Sequence, residues 1–311
     1  MGKIAFVFPG QGSQVVGMGK DVYEHSELAK EVFDRASDAV ELDLKALCFE
    51  ENTDIHITEF TQVCLLTTSV AIMRELCSRG IEPDVAAGLS LGEYCALVAT
   101  GAMNYIDAAK AVRKRGIFMQ EEVPAGEGGM AAILGMPADQ IETVIADMEK
   151  VQIANYNCPG QIVISGETNQ VALAADKLKE AGAKRAVILN VSGPFHSDLL
   201  TGAGDKLKTV LDELTIEQPK IPYVANVNAK YITQQQEIEP LLVQQVSHSV
   251  RWQQCVEAMV ENGVDTFLEI GPGKTLAGFN KKIGKALGKE LKTYPVGTMQ
   301  EIDQVVEVLK Q

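Results

Sequence analysis

The pentapeptide GLSLG at residues 88–92 interrupts a long apolar stretch and strongly limits how the chain can fold there. A short apolar run, Val85 to Leu89, precedes it, and apolar residues recur at helical spacing after it as far as Gly101. The glycines on either side of Ser90 permit a sharp turn without a Cβ clash. Strand, G-x-S-x-G and helix together are the pattern of a nucleophile elbow. The sequence therefore predicts that Ser90 stands at the carboxyl end of a buried strand, facing the amino end of a helix.

Further apolar runs indicate the fold class. Ile4 to Phe8 and Thr266 to Ile270 are short and continuous, as expected for strands buried on both faces of a parallel sheet. Helical patterns lie between them, most clearly at Cys64 to Cys77 and Tyr105 to Gln120. This alternation predicts an α/β core with a mainly parallel sheet.

The segment 126–191 has a different pattern. It reads as a strand, a helix from Pro137 to Lys150, two strands around Cys158-Pro159-Gly160, a helix from Asn169 to Ala181, and a final strand ending at Val191. Strand-helix-strand-strand-helix-strand is the ferredoxin-like order. We therefore expect a large domain from residues 1–125 and 192–311, with residues 126–191 inserted as a small ferredoxin-like subdomain.

A serine nucleophile needs a base, and the chain has four histidines. His25 and His56 lie in polar segments, whereas His196 follows an apolar strand and the turn Gly193-Pro194-Phe195. Catalytic groups of such sheets gather at strand carboxyl ends, so His196 is the favoured base, with His248 as a rival. No aspartate stands out as a third member, and a backbone carbonyl could orient the imidazole instead.

Arg115 falls on the apolar stripe of its predicted helix. The stripe consists of Ala108, Ala111, Val112, Phe118 and Met119. A buried guanidinium without a partner costs several kcal/mol, so the sequence predicts either a salt bridge or a substrate carboxylate as its partner.

Two glycine-rich loops require separate interpretations. FPGQGSQ follows the first strand, and Gln11 is either part of a plain turn or a donor to an oxyanion opposite Ser90. EIGPGKTL ends like a phosphate loop, but Leu268 stands where that motif requires glycine. A nucleotide triphosphatase is therefore disfavoured.

Charge and cysteine usage limit the partners. The net charge is -14, which argues against nucleic acid binding, and the six cysteines form no C-x-x-C pair. We expect buried free thiols and no metal site. The apolar run near residue 1 is too short for a signal segment or a membrane span, so we expect a cytoplasmic protein without a membrane partner.

With these residues identified, the chain resembles the malonyl-coenzyme A:acyl carrier protein transacylases of fatty acid synthesis. The resemblance rests on motifs in family order along nearly the whole chain: FVFPGQGSQ, GMGK, GLSLGEY, RKRGIFMQE, MAAILG, NYNCPGQIVISG, VSGPFHS, VRWQQCVEAM and LEIGPGKTLAGF. It departs from the family at Leu89, where the family usually has histidine.

The resemblance implies an α/β-hydrolase-like large domain with a ferredoxin-like insert, and it implies a role for each of eight residues. Ser90 is implied as nucleophile and His196 as general acid and base. Gln11 and the amide of Leu91 are implied as oxyanion donors, and Arg115 as the malonate clamp. Asn157 and Gln161 are implied to line the cleft. The segment around Arg251 is implied to supply the carbonyl that orients the histidine.

The resemblance also implies the function. The expected reaction moves malonyl from malonyl-coenzyme A to acyl carrier protein through a malonyl-serine. We expect no cofactor, because the substrates carry coenzyme A and phosphopantetheine, and we expect a monomer. The alternatives are a transacylase that serves a polyketide synthase, a serine thioesterase or esterase, and a carrier-binding module without activity.

The acidic carrier protein requires a local basic surface on this acidic chain. The sequence offers two such clusters, and either could equally be a solvated helix face. They are Lys281, Lys282, Lys285, Lys289 and Lys292, and alternatively Arg113 with Lys114.

Overall fold

The structure is a computed structural model that describes residues 2–124, 126–191 and 193–310. Within these residues, a larger sheet consists of β1 (Lys3–Phe8), β2 (Val85–Gly88), β7 (Tyr223–Val224), β8 (Tyr231–Ile232), β9 (Val264–Ile270) and β10 (Lys292–Val296). Their order is β10-β9-β1-β2-β7-β8, and every neighbouring pair is parallel except β7 with β8. The predicted mainly parallel sheet is confirmed.

The central strands are the apolar runs predicted from the sequence, and both of their faces are covered. Phe6 and Phe8 pack into one apolar cluster, while Ala5 and Val7 pack into another on the opposite face. In the register of β1 and β2, Phe8 pairs with Gly88. The carboxyl ends of the two strands therefore meet at one edge, and the loops that follow them are neighbours.

A second, separate sheet is antiparallel. It consists of β3 (Gly128–Leu134), β4 (Val151–Cys158), β5 (Gln161–Glu167) and β6 (Arg185–Ile188), in the order β4-β5-β3-β6. Two helices, α7 (Ala138–Ile145) and α8 (Thr168–Glu180), complete the predicted order of elements. These strands and helices share an apolar cluster of their own.

Two predicted elements of this segment were too long. Helix α7 ends at Ile145 rather than Lys150: turns lie between Ile145 and β4, and Lys150 itself has a φ of 57° that a helix does not accommodate. Strand β6 ends at Ile188 rather than Val191, and the residues after it line the cavity described below. The predicted boundary residues Ala125 and Ser192, like Met1 and Gln311, lie outside the described residues, and the division into two domains stays a prediction.

Helices cover both faces of the larger sheet. The described ones are α1 (Lys20–His25), α2 (Glu27–Val40), α3 (Leu44–Phe49), α4 (Thr58–Ser78), α5 (Gly92–Ala99), α6 (Tyr105–Glu121), α9 (Thr201–Leu211), α10 (Gln235–Gln245), α11 (Trp252–Glu261), α12 (Thr275–Leu287) and α13 (Met299–Lys310). Helix α4 begins six residues before the predicted Cys64, because it is buried on nearly all sides and has no polar face to mark its start.

The structure also bears on the predictions about the cysteines and about membrane spans. All six cysteines are free, and all but Cys77 are buried, as predicted. In the described part of the chain, no helix has the length and apolarity needed to span a membrane.

Candidate active site

Ser90 occupies a strained elbow between β2 and α5. Its φ is 53°, a left-handed conformation that a non-glycine residue adopts at a cost of about 1–3 kcal/mol. The glycines around it are required by close approach: a Cβ at Gly88 would lie 1.8 Å from the carbonyl carbon of Gly92, and one at Gly92 would lie 2.3 Å from the carbonyl oxygen of Phe8. The predicted strand-turn-helix is therefore present, with the start of α5 pressed against the end of β1.

His196 lies beside the serine hydroxyl. Its Nε2 is 2.7 Å from Ser90 Oγ, and its Nδ1 is 2.7 Å from the backbone carbonyl oxygen of Gln245. A carbonyl only accepts, so Nδ1 carries the proton and Nε2 is free to accept the Ser90 hydroxyl proton. The orienting group is thus a backbone carbonyl, and no aspartate is needed.

The protonation state of His196 also suits a base. The side chain is 3% exposed, and burial together with the nearby Arg115 cation lowers its pKa to about 3. The imidazole is therefore neutral at physiological pH. His248, the rival base, is exposed, and its Nδ1 lies 3.2 Å from Ser247 Oγ rather than near Ser90.

Arg115 is a cation buried among neutral partners. It is 1% exposed, and its guanidinium donates to Gln62 Oε1 at 2.7 Å, Gln245 Oε1 at 2.9 Å and Ser90 Oγ at 3.1 Å. None of the ion pairs among the described residues includes it. Burial lowers the pKa of Arg115. The predicted alternative of a direct salt bridge is wrong, and the guanidinium is available to a substrate carboxylate next to Ser90.

Two groups near the hydroxyl could stabilise an oxyanion. The loop after β1 touches the residue before Ser90, since a Cβ at Gly10 would lie 2.5 Å from the carbonyl oxygen of Leu89. This brings Gln11, whose Nε2 donates to Thr58 Oγ1 at 3.1 Å, to the cavity wall. In the described part of the chain, no hydrogen bond uses the N–H of Leu91, which precedes the first residue of α5.

These groups surround one cavity of about 590 Å³. Seven of the eight predicted site residues line it: Gln11, Ser90, Leu91, Arg115, Asn157, Gln161 and His196. Arg251 does not line it. Its guanidinium lies 5.2 Å from the centre of the Tyr156 ring, and the carbonyl that orients His196 belongs to Gln245, earlier in the chain.

Four buried polar residues that were not predicted from the sequence hold the site together. Gln62 and Gln245 bind Arg115, Asn226 binds the Ser90 amide, and Glu93 binds Gln245. A polar residue in an apolar helix was the available signal for Gln62 and Glu93. Asn226 lies in a loop without a motif, so nothing in the sequence singled it out.

In the phosphate-loop-like segment, a carboxylate binds the amino end of the following helix. Glu269, at the end of β9, accepts hydrogen bonds from the backbone N–H groups of Leu276 and Ala277 at 2.9 and 2.7 Å. A carboxylate therefore already occupies the amino end of α12, which agrees with the expectation against a nucleotide triphosphatase.

Comparisons with known proteins identify the family of the chain. The family described as the acyl transferase domain matches residues 5–305. The malonyl CoA-acyl carrier protein transacylase of Bacillus subtilis is 48% identical over 100% of this chain and 98% of its own length.

Solved structures agree. The malonyl CoA-acyl carrier protein transacylase of Clostridium perfringens is 42% identical, covers 99% of this chain and 97% of its own, and superposes with a TM-score of 0.95. A malonyl-transacylase in complex with its type II PKS acyl-carrier protein is 39% identical, with a TM-score of 0.94 over 98% of this chain and 99% of its own. The chain therefore belongs to the acyl transferase family, among the malonyl CoA-acyl carrier protein transacylases.

Proposed function

We propose that the protein transfers malonyl from malonyl-coenzyme A to the phosphopantetheine thiol of acyl carrier protein, through an ester on Ser90. One observation carries the proposal: Ser90 Oγ lies within hydrogen-bonding distance of both a neutral imidazole, at 2.7 Å, and a buried guanidinium, at 3.1 Å. The first activates a nucleophile, and the second suits an acyl group with a free carboxylate.

In the first half-reaction, Ser90 Oγ attacks the thioester carbonyl carbon while its proton passes to His196 Nε2. The carbonyl of Gln245 holds Nδ1–H, so the ring keeps its orientation as it becomes an imidazolium. The tetrahedral intermediate then expels coenzyme A, which takes the proton from Nε2. The product is a malonyl ester on Ser90.

The oxyanion of each tetrahedral intermediate is bound by the Leu91 amide and by Gln11. The helix α5 that follows points its amino end at this position, which adds a favourable dipole. Loss of one such donor typically costs about 3–4 kcal/mol of transition-state stabilisation.

Arg115 selects the acyl group. The malonyl carboxylate replaces Ser90 Oγ as a guanidinium partner, because Oγ becomes an ester oxygen that accepts poorly. An acetyl group has no carboxylate and leaves the buried cation without an anion. A site built around a required polar contact can reject a substrate that lacks it by about 10⁴ or more.

In the second half-reaction, the carrier thiol enters the cavity and transfers its proton to His196 as its sulfur attacks the ester. Oγ leaves and recovers the proton. The same two residues therefore serve both halves, and the exchange needs no cofactor.

The finer description of the fold is part of this proposal. A hydrolase-like large domain is supported by the nucleophile elbow between a parallel strand and a helix. A ferredoxin-like subdomain is supported by the order of its elements and by the strand order β4-β5-β3-β6. We also propose a monomer that acts in the cytoplasm.

The carrier protein docks, in this proposal, on the lysines of α12. Thr275, Leu276 and Phe279 line the active-site cavity, while Lys281 and Lys285 of the same helix line a surface groove with Lys274 and Lys289. The same helix therefore borders both the cavity that contains Ser90 and a basic surface groove. This arrangement suits an acidic carrier protein whose phosphopantetheine arm must reach the serine. The alternative cluster is less suitable, because Arg113 pairs with Glu59 at 2.9 Å.

Incubation with malonyl-coenzyme A, with and without phosphopantetheinylated carrier protein, tests the reaction. We expect malonyl-carrier to form in amounts equal to the coenzyme A released, with only slow release when the carrier is absent. Rapid release of malonate without carrier would instead identify a thioesterase. Carriers of fatty acid and polyketide synthesis, compared in parallel, separate the two pathways; we expect the former to react faster.

A further inference from the structure

The elbow's strain has to be held by its surroundings, and one buried side chain spans it. Asn226 Oδ1 accepts the Ser90 N–H at 2.7 Å, and Asn226 Nδ2 donates to the Gly88 carbonyl at 2.7 Å. The two ends of one amide therefore fix the backbone on both sides of the turn. Asn226 is fully buried, so water does not compete for either bond.

A second buried amide holds the other side of the nucleophile. Gln245 Nε2 donates to the Ser90 carbonyl at 3.0 Å, and its Oε1 accepts from Arg115 at 2.9 Å. Its backbone carbonyl orients His196. Gln245 thus contacts the nucleophile, the base and the clamp. Its side-chain amide can face only one way, because a flipped amide would turn its N–H groups toward the N–H of Arg115 and its oxygen toward the carbonyl oxygen of Ser90.

Glu93 fixes the orientation of this amide. Its Oε2 accepts the second Gln245 N–H at 2.6 Å and the backbone N–H of Asn226 at 3.2 Å. Glu93 is itself fully buried in the first turn of α5. The carboxylate therefore joins both residues that hold Ser90, and it is separated from the Arg115 cation by a single neutral amide.

We propose that Glu93 is a positioning residue for the transfer reaction. It acts through Gln245 and Asn226 to keep Ser90, His196 and Arg115 at the distances and orientations that the reaction needs. This inference rests on the proposed function. Glu93 touches no substrate, and its contribution is the acceptor that keeps both amides in one orientation. An ionised carboxylate accepts hydrogen bonds more strongly than a neutral carboxyl group, so the amides of Gln245 and Asn226 are held most tightly when Glu93 is charged.

Glu93 gains and loses its proton within a pH range in which the enzyme can be assayed. Burial raises its pKa to about 7, against hydrogen bonds from Gln245 and Asn226 and the charge of Arg115. The groups facing it are Arg115 from α6, Tyr223 from β7, Cys255 from α11 and Tyr94 from its own helix. Burial raises the pKa of the tyrosines and of the cysteine, and the pKa of His196 is about 3, so Glu93 is the member of this group that titrates near pH 7.

The experiment measures how fast Ser90 reacts with a fluorophosphonate, which esterifies activated serine hydroxyls with loss of fluoride and needs no malonyl group. Wild type, Glu93→Gln and Glu93→Leu are compared from pH 5.5 to 8, with circular dichroism as the check of folding. Glu75→Gln is the matched control, because Glu75 is also buried and also accepts two hydrogen bonds, in its case from the side chains of Ser26 and Arg79 at 2.7 Å each, away from the cavity. Malonyl transfer by wild type is measured alongside.

We expect wild-type labelling to slow as the pH falls through about 7. Glu93→Gln, whose amide oxygen can still accept, should label at the slow rate of acidic wild type at every pH. Glu93→Leu should label about a hundred-fold more slowly than wild type at pH 8, the loss that a misplaced reacting group typically causes. Glu75→Gln should match wild type.

Two results would overturn the inference: a folded Glu93→Leu that labels at the wild-type rate, or a Glu93→Gln that keeps the wild-type pH profile. The second comparison does not depend on the leucine variant folding. Failure of the proposed function looks different, because wild type would then label with fluorophosphonate but transfer no malonyl to the carrier.

Discussion

At the scale of single residues, the site is organised around one hydroxyl that contacts a base and a cation. Ser90 Oγ lies 2.7 Å from His196 Nε2 and 3.1 Å from Arg115. Among the described residues, the imidazole is oriented by a backbone carbonyl instead of a carboxylate, and the guanidinium donates only to neutral oxygens. In the proposed reaction, the imidazolium therefore forms only during the transfer, and the substrate brings the carboxylate that pairs with Arg115.

Replacement of Arg115 should change the acyl preference of the enzyme. Arg115→Ala removes the buried cation, so malonyl loses its partner and acetyl no longer leaves a charge unpaired. We expect malonyl transfer to fall by about 10⁴ and acetyl transfer to become measurable, as kcat/KM with each acyl-coenzyme A. Unchanged malonyl transfer would refute the clamp.

The residues that sequence could predict are those with a motif or a misplaced charge. Ser90 has its flanking glycines, and Arg115 lies on an apolar stripe. Asn226 and Gln245 become visible only in the fold, because they act through backbone groups of residues far away in the chain. The segment around Arg251 was expected to supply the histidine-orienting carbonyl, but the carbonyl belongs to Gln245, at the end of α10.

At the scale of elements, the elbow depends on the close contact of β1, β2 and α5. The prediction of β1, β2 and β9 succeeded because continuous apolar runs that end at glycine or proline are distinctive, whereas β10 was not predicted. Strands β7 and β8 were missed because two residues each carry no pattern. The end of α7 was missed because apolar spacing does not reveal the turns that begin after Ile145.

The elbow should not tolerate a side chain at its second glycine. Gly92→Ala puts a Cβ 2.3 Å from the Phe8 carbonyl oxygen, so we expect a loss of unfolding free energy of at least about 1–3 kcal/mol and strongly reduced Ser90 labelling. Gly278→Ala is the control, because it lies in α12 with nothing within 4 Å of the new Cβ.

In the Gly278→Ala control, alanine is a better helix former than glycine, so we expect the free energy of unfolding to rise by about 0.5–1 kcal/mol. Urea unfolding of both variants tests the pair. Equal stability of Gly92→Ala and wild type would contradict the close contact.

At the scale of the whole molecule, two buried groups of the site make stability depend on pH in opposite directions. The pKa of His196 is about 3, below its ordinary 6.5, so the unfolded chain binds the extra proton and stability falls as the pH drops through this window. The pKa of Glu93 is about 7, above its ordinary 4.5, so the folded chain holds the extra proton and stability falls as the pH rises through that window.

The two effects oppose each other between about pH 4.5 and 6.5. Each is worth about 1.4 kcal/mol per pH unit. We expect His196→Gln to gain stability relative to wild type as the pH falls across this range, and Glu93→Gln to lose it, in urea unfolding at pH 6.5, 5.5 and 4.5. Parallel pH profiles for all three proteins would show that these groups are not buried as described.

The proposed docking of the carrier protein depends on local charge. With a net charge of -14, the whole chain is a poor match for an acidic carrier, so the proposal places the carrier on the lysines of α12. We expect the double change Lys281→Glu and Lys285→Glu to lower kcat/KM for the carrier and its salt dependence. Acylation by malonyl-coenzyme A should stay the same.

The control for that surface is Lys177→Glu, an exposed lysine of α8 in the segment that carries the antiparallel sheet. It changes net charge without touching the groove and should leave carrier kinetics close to wild type. Equal effects of the α12 and α8 changes would mean that overall charge, and not this surface, matters.

The covalent step is the claim on which the account depends, and it can be measured by brief exposure of the enzyme to malonyl-coenzyme A, acid quenching and mass spectrometry of its peptides. We predict one malonyl group per chain on Ser90, no adduct in Ser90→Ala, and loss of the adduct when carrier protein is added. An adduct that persists in Ser90→Ala, or malonyl-carrier formation by that variant at the wild-type rate, would contradict the account.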